Sequence, residues 1–325
     1  EDQKILNPEA KSGDISLDQN VTGVKDMMMQ VEKGDITVGR NITAENGNVT
    51  VNAKSGSVAV GTIDSNGNKS GKIEAGGNVT INAAQPRVST AEDNTLVHIV
   101  TSVESKGADV NIKTENGDIR IGYNGPNTDT VTAKENVNLE AAEGKIIIEG
   151  KTSTKDGDIT LKATKEEYNS NDGQHIIIED TGVVDSGKNA NLITVNGDLV
   201  VTDNVKSKGS LNAETQGKGN ITLGKDVSVK NDMVMKTEEG DITIGKDITA
   251  NQGSVTLTTG SGNITVGVDN GSGQKVGIID ANGTVNINTG TGTGAGNNNN
   301  VNIETSVESK AESVNIKVKD GDIHI

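Results

Sequence analysis

Residues 33–53 read KGDITVGRNITAENGNVTVNA. Three short runs of alternating apolar and small polar residues follow one another here: DITV at 35–38, NITA at 41–44 and NVTV at 48–51. They are called runs A, B and C below. Alternation with a period of two marks a strand with one face buried and one face wet. Gly and Asn sit between the runs, where the backbone must turn and left-handed conformations are tolerated.

The A phrase recurs along the whole chain. It appears as GDISL at 13–17, GSVAV at 56–60, GDIRI at 117–121, GKIII at 144–148 and GDLVV at 197–201. It continues as GNITL at 219–223, GDITI at 240–244, GNITV at 262–266 and GDIHI at 321–325. The step is 21 residues from Gly13 to Gly34 and 22 from Gly34 to Gly56. The same 22, 21 and 22 separate Gly197, Gly219, Gly240 and Gly262. Three strands and three corners per 21–22 residues predict one turn of a right-handed parallel β-helix, each strand pairing with its equivalents in the turns above and below. Inward Val and Ile then stack on like residues, each contributing about 1.5–3 kcal/mol. Outward Thr and Asn are placed to form ladders. About thirteen turns at strand spacing give a rod on the order of 60 Å long.

Composition agrees. The chain has 325 residues, 41 Gly, three Pro, two Tyr and no Phe, Trp or Cys. Its core must therefore come from small β-branched residues, which suit a pleated surface. A net charge of −16 with 31% hydrophobic residues resembles a disordered composition, but the strict period argues against disorder. Lack of Cys excludes a disulfide framework and thiolate metal sites. No apolar run approaches the ~18 residues of a membrane span. Glu1 opens the sequence with no signal peptide, so the chain reads as an excised piece. An acidic chain repels nucleic acid, and only Arg40, Arg87 and Arg120 carry guanidinium groups, so no nucleic-acid partner is expected.

A longer repeat overlies the short one. Residues 27–51, MMMQVEKGDITVGRNITAENGNVTV, match MVMKTEEGDITIGKDITANQGSVTL at 233–257. Residues 101–121, TSVESKGADVNIKTENGDIRI, match TSVESKAESVNIKVKDGDIHI at 305–325. The chain reads as a single continuous β-helix, 1–325, in which 27–121 is duplicated at 233–325. Duplication lengthens a rod without redesigning its core, which suits a spacer more than an enzyme. Insertions interrupt the corners at 62–76, 84–94, 122–130, 164–172, 267–276 and 289–300. The last holds GTGTGAGNNNN and is expected to be a mobile loop.

The phrases GDIT, GNVTVNA and GGNVTINA at this period resemble the haemagglutinin-repeat regions of filamentous haemagglutinin-like adhesins. The resemblance covers essentially the whole chain. It implies a segment of a large exoprotein of Gram-negative bacteria, exported by two-partner secretion through an outer-membrane transporter. Such fibres stand at the bacterial cell surface and present adhesive or toxic segments to a host-cell or bacterial surface receptor or glycan. The sequence departs from the family in lacking an N-terminal secretion domain and a toxin domain.

Catalytic and metal chemistry find little to use. His98, His175 and His324 are far apart and read as solvated strand histidines rather than a zinc set. The Asp of GDI, at positions 14, 35, 118, 158, 241 and 322, lacks the glycine spacing of calcium nonapeptides and reads as a cap on its own turn. The KGD at 33–35 belongs to the same turn pattern, and the sequons at Asn41, Asn48, Asn78, Asn220 and Asn263 follow from the strand phrase. No cofactor, metal or catalytic residue is assigned. Polysaccharide lyases and hydrolases built on β-helices are the enzyme alternative. They need clustered carboxylates and sugar-stacking aromatics, and the only aromatics here are Tyr123 and Tyr168, both in insertions. A phage tailspike-like stem and an ice-binding solenoid are further alternatives, the latter opposed by Arg120 and Ile147 in the outward rank.

That rank supplies the candidate contact surface. The outward A residue is Thr in regular turns, at Thr37, Thr222, Thr243 and Thr265. Between the insertions, which flank the A face, it changes to His98, Arg120, Ile147, Ile177 and Val200. An exposed apolar stripe with a cationic edge is expected to meet a receptor or a lateral neighbour rod.

Overall fold

The computed structural model describes residues 6–85, 94–123, 129–167, 173–179, 181–290 and 299–325. The chain divides into two compact units. Unit 1 comprises Glu1–Ala163 with Thr181–Val183, and unit 2 comprises Thr164–Asp180 with Val184–Ile325.

Each unit is a parallel β-helix, and no helix occurs among the described residues. In unit 1 the A strands include Ile36–Val38, Val58–Val60, Thr95–Ile99, Asp118–Ile121 and Ile146–Ile148. They pair in parallel with like residues aligned: Ile36 on Val58, Val58 on Val97, Val97 on Ile119 and Ile119 on Ile146. The B and C strands stack in the same way, as in Ile42 on Ile73 and Val49 on Val79. Unit 2 repeats the arrangement, with Leu199, Ile221, Ile242, Ile264 and Val301 aligned on its A face.

The period-two pattern sets what is buried. In Ile36–Val38, Ile36 and Val38 have 0% exposure while Thr37 between them is half-exposed. Methionine fills the inward C positions at equivalent places, Met27 and Met29 in unit 1 and Met233 and Met235 in unit 2, all at 2% exposure or less. The unbranched, adaptable thioether stacks there on residues of different size, Met27 on Val49 and Met29 on Val51 in unit 1, and Met235 between Ala213 and Leu257 in unit 2.

The corners explain the glycine phrase. Gly56 has φ +150°, and a Cβ there would lie 1.9 Å from the carbonyl oxygen of Gly34 in the turn below. Gly262 repeats this with φ +147° and 2.2 Å to the carbonyl oxygen of Gly240. Neither the backbone angle nor the space tolerates a side chain.

The aspartates reach beyond their own turns: Asp14, Asp35, Asp118 and Asp241 each accept from a backbone N–H of the turn that follows. Asp14 Oδ1 accepts from the backbone N–H of Asp35 at 2.9 Å, and Asp35 Oδ1 accepts from Ser57 N–H at 2.7 Å. The acceptor thus serves the next turn, whose corner N–H has left the strand ladder and would otherwise be orphaned. Outward amides add ladders of their own, with Asn82 Nδ2 donating to Asn52 at 2.8 Å and Asn138 Nδ2 to Asn111 at 2.8 Å.

The insertions at 62–76 and 267–276 contain antiparallel hairpins, Thr62–Ile63 with Lys69–Ser70 and Val268–Asp269 with Lys275–Val276. The first insertion is shorter than its sequence boundaries, because Lys72–Ala75 is already the next B strand. Residues 86–93, 124–128, 168–172 and 291–298, including Arg87, Tyr168 and most of GTGTGAGNNNN, lie outside the described residues.

Candidate functional site

The outward A column of unit 1 runs Thr37, Ala59, His98, Arg120 and Ile147 in direct register. In unit 2, Ile177 aligns with Val200, and Val200 is followed by Thr222, Thr243 and Thr265. The five candidate residues are thus found as His98–Arg120–Ile147 in unit 1 and as Ile177–Val200 in unit 2. All five are half-buried rather than exposed.

The cationic edge is not a free charge. Arg120 Nε donates to Glu149 Oε2 at 3.0 Å, and its second nitrogen binds Glu149 Oε1. The Glu149 side chain is 6% exposed. Glu149 follows Ile148 at the A-to-B corner and is held by its own N–H on the Ile121 carbonyl at 2.8 Å. A bidentate pair of this kind fixes the guanidinium plane and neutralises it. Removing the arginine alone strands a buried carboxylate.

His98 is fixed too. Its Nε2 lies 2.9 Å from the Gly122 carbonyl oxygen. A carbonyl only accepts, so Nε2 carries the proton of this bond. The ring packs 5.9 Å from that of Tyr123, which is 45% exposed. His98, Tyr123 and the Arg120–Glu149 pair thus form a polar border beside half-buried Ile147.

The hairpin at 62–70 forms a wall near this border. Lys69 Nζ binds Asp129 Oδ2 at 2.5 Å, and the Asp129 side chain is 5% exposed. The same carboxylate oxygen accepts from Tyr123 N–H at 3.2 Å. One aspartate therefore ties the hairpin to the turn that carries Tyr123. Lys69, Ser70, Thr101, Ser102 and Asp129 line a shallow hollow of about 260 Å³ on the outer side of this tie.

The three histidines differ from their sequence reading. His324 is exposed and His98 half-buried, but His175 is 1% exposed. The strand Gln174–Ile178 carries a bulge between Gln174 and Ile176, which turns the extra residue His175 inward over Gly197. A Cβ on Gly197 would lie 1.9 Å from His175 Nδ1. Leu96 does the same in unit 1, at the bulge between Thr95 and Val97, over Gly117. The signal was one additional residue before the A phrase, in TLVHI at 95–99 and QHIII at 174–178.

Sequence reasoning also missed Glu149 and Asp129, whose partners are 29 and 60 residues away. Nothing local announces such pairs; only the rung alignment brings them together. Asp198 stands at the A corner of unit 2, where burial pushes its carboxyl above the usual range against the bonds donated by Asn220. Asp64, fully exposed in the first hairpin, is held below that range by bonds from the Asn68 side chain and backbone. Among the described residues, no group of three or more His, Asp or Glu is placed to hold a metal ion.

No family model, curated protein or solved structure matches the chain.

Proposed function

We propose that this chain is a rod-forming segment of a secreted bacterial surface adhesin, which projects binding regions from the cell and mediates attachment. The observation that carries the reading is the repeated block. Residues 27–121 and 233–325 fold into the same strands, with the hairpins at 62–70 and 268–276 at equivalent corners. Repetition of a self-stacking unit, insertions included, favours a scaffold that gains reach and copies of a surface by length. The partners proposed are a host-cell or bacterial surface receptor or glycan, an outer-membrane transporter during export, and neighbouring rods.

The test is attachment. Beads coated with the chain should adhere to host or bacterial cells, and soluble chain should compete. Ile177→Thr with Val200→Thr in unit 2, and Ile147→Thr with the paired change Arg120→Thr and Glu149→Gln in unit 1, should each weaken adhesion or self-association if the outward columns make the contact. Release of reducing ends from an acidic-polysaccharide panel, abolished by one carboxylate substitution, would replace this reading with the enzyme alternative.

A further inference from the structure

A second surface, unrelated to the A column, lies on the B strands of unit 2. Lysines on this molecule commonly sit across from acids in the neighbouring turn. Lys54 binds Glu32, Lys236 binds Glu214 and Lys310 binds Asp280. Lys208 and Lys230 break that rule. Each follows an aligned residue of the B stack, Ser207 on Val229, and each donates its N–H to the turn before, Lys208 to the Ser186 carbonyl and Lys230 to the Ser207 carbonyl. The two lysines therefore stand directly over one another at a strand spacing of about 4.8 Å. Lys206 lies two residues before Lys208, on the B strand Val205–Ser207 that ends just before it. All three are exposed and form no ion pair within the described residues. Like charges stacked in register destabilise a sheet, so this arrangement costs the scaffold something and contributes nothing to its packing.

These lysines, with Asp185, Ser228 and Asn251, line a hollow of about 420 Å³ floored by buried Ser207 and Val229. We propose that the hollow is a docking surface for a linear polysaccharide bearing carboxylates on successive sugars. Lys208 and Lys230, whose backbones stand one strand spacing apart, offer ammonium groups on flexible stems that can meet anionic groups repeated at about the length of one pyranose. The remaining lining groups select among polyanions. Asp185 aligns with Lys206 in the adjacent turn and accepts only. Its negative charge disfavours a densely sulfated or phosphorylated chain relative to one that carries a single carboxylate per sugar. Asn251 and Ser228 form a hydroxyl-reading edge. No aromatic lines the hollow, so base stacking of a nucleic acid has no platform. The inference is independent of which A-column residues serve attachment.

The experiment uses the full chain and immobilised polygalacturonate, with dextran and dextran sulfate as comparison surfaces. The parent should bind polygalacturonate, and not dextran. The variant Lys206→Gln, Lys208→Gln, Lys230→Gln should bind about tenfold or more weakly. Lys236→Gln, which breaks an ion pair elsewhere on unit 2, should bind as the parent does. The triple variant should melt no lower than the parent, since it removes a repulsion; single Lys230→Gln serves as the second variant and should weaken binding by a smaller factor. Equal binding by parent and triple variant overturns the proposal. So does binding to dextran sulfate without binding to polygalacturonate, or displacement by single-stranded DNA at lower charge concentration than by free polygalacturonate.

Discussion

The two units carry the same kind of polar ladder along different corners. In unit 1 the unbroken ladder precedes the C strands: Asp26, Asn48, Asn78, Asp109 and Asn136 each accept, through Oδ1, from the backbone N–H one turn on, ending at Asp158. In unit 2 it precedes the A strands: Asp198, Asn220, Asp241, Asn263 and Asn300 do the same, ending at Asp322. The A corner of unit 1 begins such a ladder at Asp14 and Asp35 and then stops at Ser57. Ser57 occupies the place that Asn263 holds in the duplicate. A serine does accept in this way at the C corner of unit 2, where Ser254 Oγ takes Thr284 N–H at 3.1 Å; after Ser57, by contrast, the next turn is the bulged strand with Leu96. The difference teaches that the repeat conserves geometry at the corners while the residues that exploit it vary from copy to copy.

The largest break in the comparison comes from the glycines that both copies need. Gly56→Ala and Gly262→Ala each force a Cβ against backbone, at 1.9 and 2.2 Å, in a left-handed conformation. Gly67 and Gly271, at the hairpin tips, also have positive φ, but nothing lies within 4 Å of an added Cβ. Corner substitutions should cost more than about 3 kcal/mol or prevent folding, and the tip substitutions about 1 kcal/mol. Urea unfolding of the four variants checks this; equal costs at corner and tip would mean that the corners relax freely.

The next effect separates the A columns of the two copies. Arg120 in the first block corresponds to exposed His324 in the second. Arg120→Thr should destabilise by about 2–3 kcal/mol, because buried Glu149 is left without a counter-ion. Adding Glu149→Gln should recover much of that loss, whereas His324→Thr should change stability by less than about 0.5 kcal/mol. If the double variant is no better than the single, the carboxylate is not the source of the cost.

Asn263→Ser makes the second copy resemble the first. It replaces the Oδ1 that accepts from Asn300 N–H, now at 2.9 Å, by an Oγ on a side chain too short to reach as far. A loss of about 1–2 kcal/mol is expected for one orphaned, partly buried donor. The reverse change, Ser57→Asn, should gain little, because the following turn of unit 1 is bulged and does not present the matching N–H in the same place. Amide hydrogen exchange at Asn300 reads the first directly.

The fold was legible in the sequence because its cause is local and repeated. Ile36, Thr37 and Val38 alternate in sequence as they do in burial, and a 21–22-residue period brings like residues into register without any long-range information. The candidate site was legible only in part. Alternation identified His98, Arg120 and Ile147 as outward neighbours, but not that Glu149 reaches back to Arg120, since a pair formed across turns depends on corner geometry. The burial of His175 follows from a one-residue bulge that shifts a side chain to the opposite face. The stacked lysines escaped notice because Lys208 and Lys230 fall just past the B strands Val205–Ser207 and Val227–Val229, on corner positions where the strand phrase says nothing about neighbours.

The smallest effect concerns pH and contrasts two aspartates with opposite shifts. Burial raises the Asp198 carboxyl above its unfolded value. The folded state thus favours the protonated form, and the stability it contributes is present in acid and lost as pH rises through the folded pKa. At neutral pH the charged carboxylate is a burden on the corner. Asp198→Asn keeps an oxygen to accept from Asn220 N–H, now at 2.8 Å, and removes the charge. It should raise the melting temperature slightly at pH 7, with the gain shrinking toward pH 3. Asp64 runs the other way. Its carboxyl is lowered by the bonds from Asn68, so its contribution is present above the unfolded value and lost as pH falls through the folded one. Asp64→Asn should therefore lower stability a little at pH 7 and have no effect in strong acid. Melting curves of both variants and the parent from pH 3 to pH 7 decide the matter. Parallel curves for Asp198→Asn and the parent would show that the corner carboxylate is solvated rather than desolvated, and that the ladder tolerates charge at every rung.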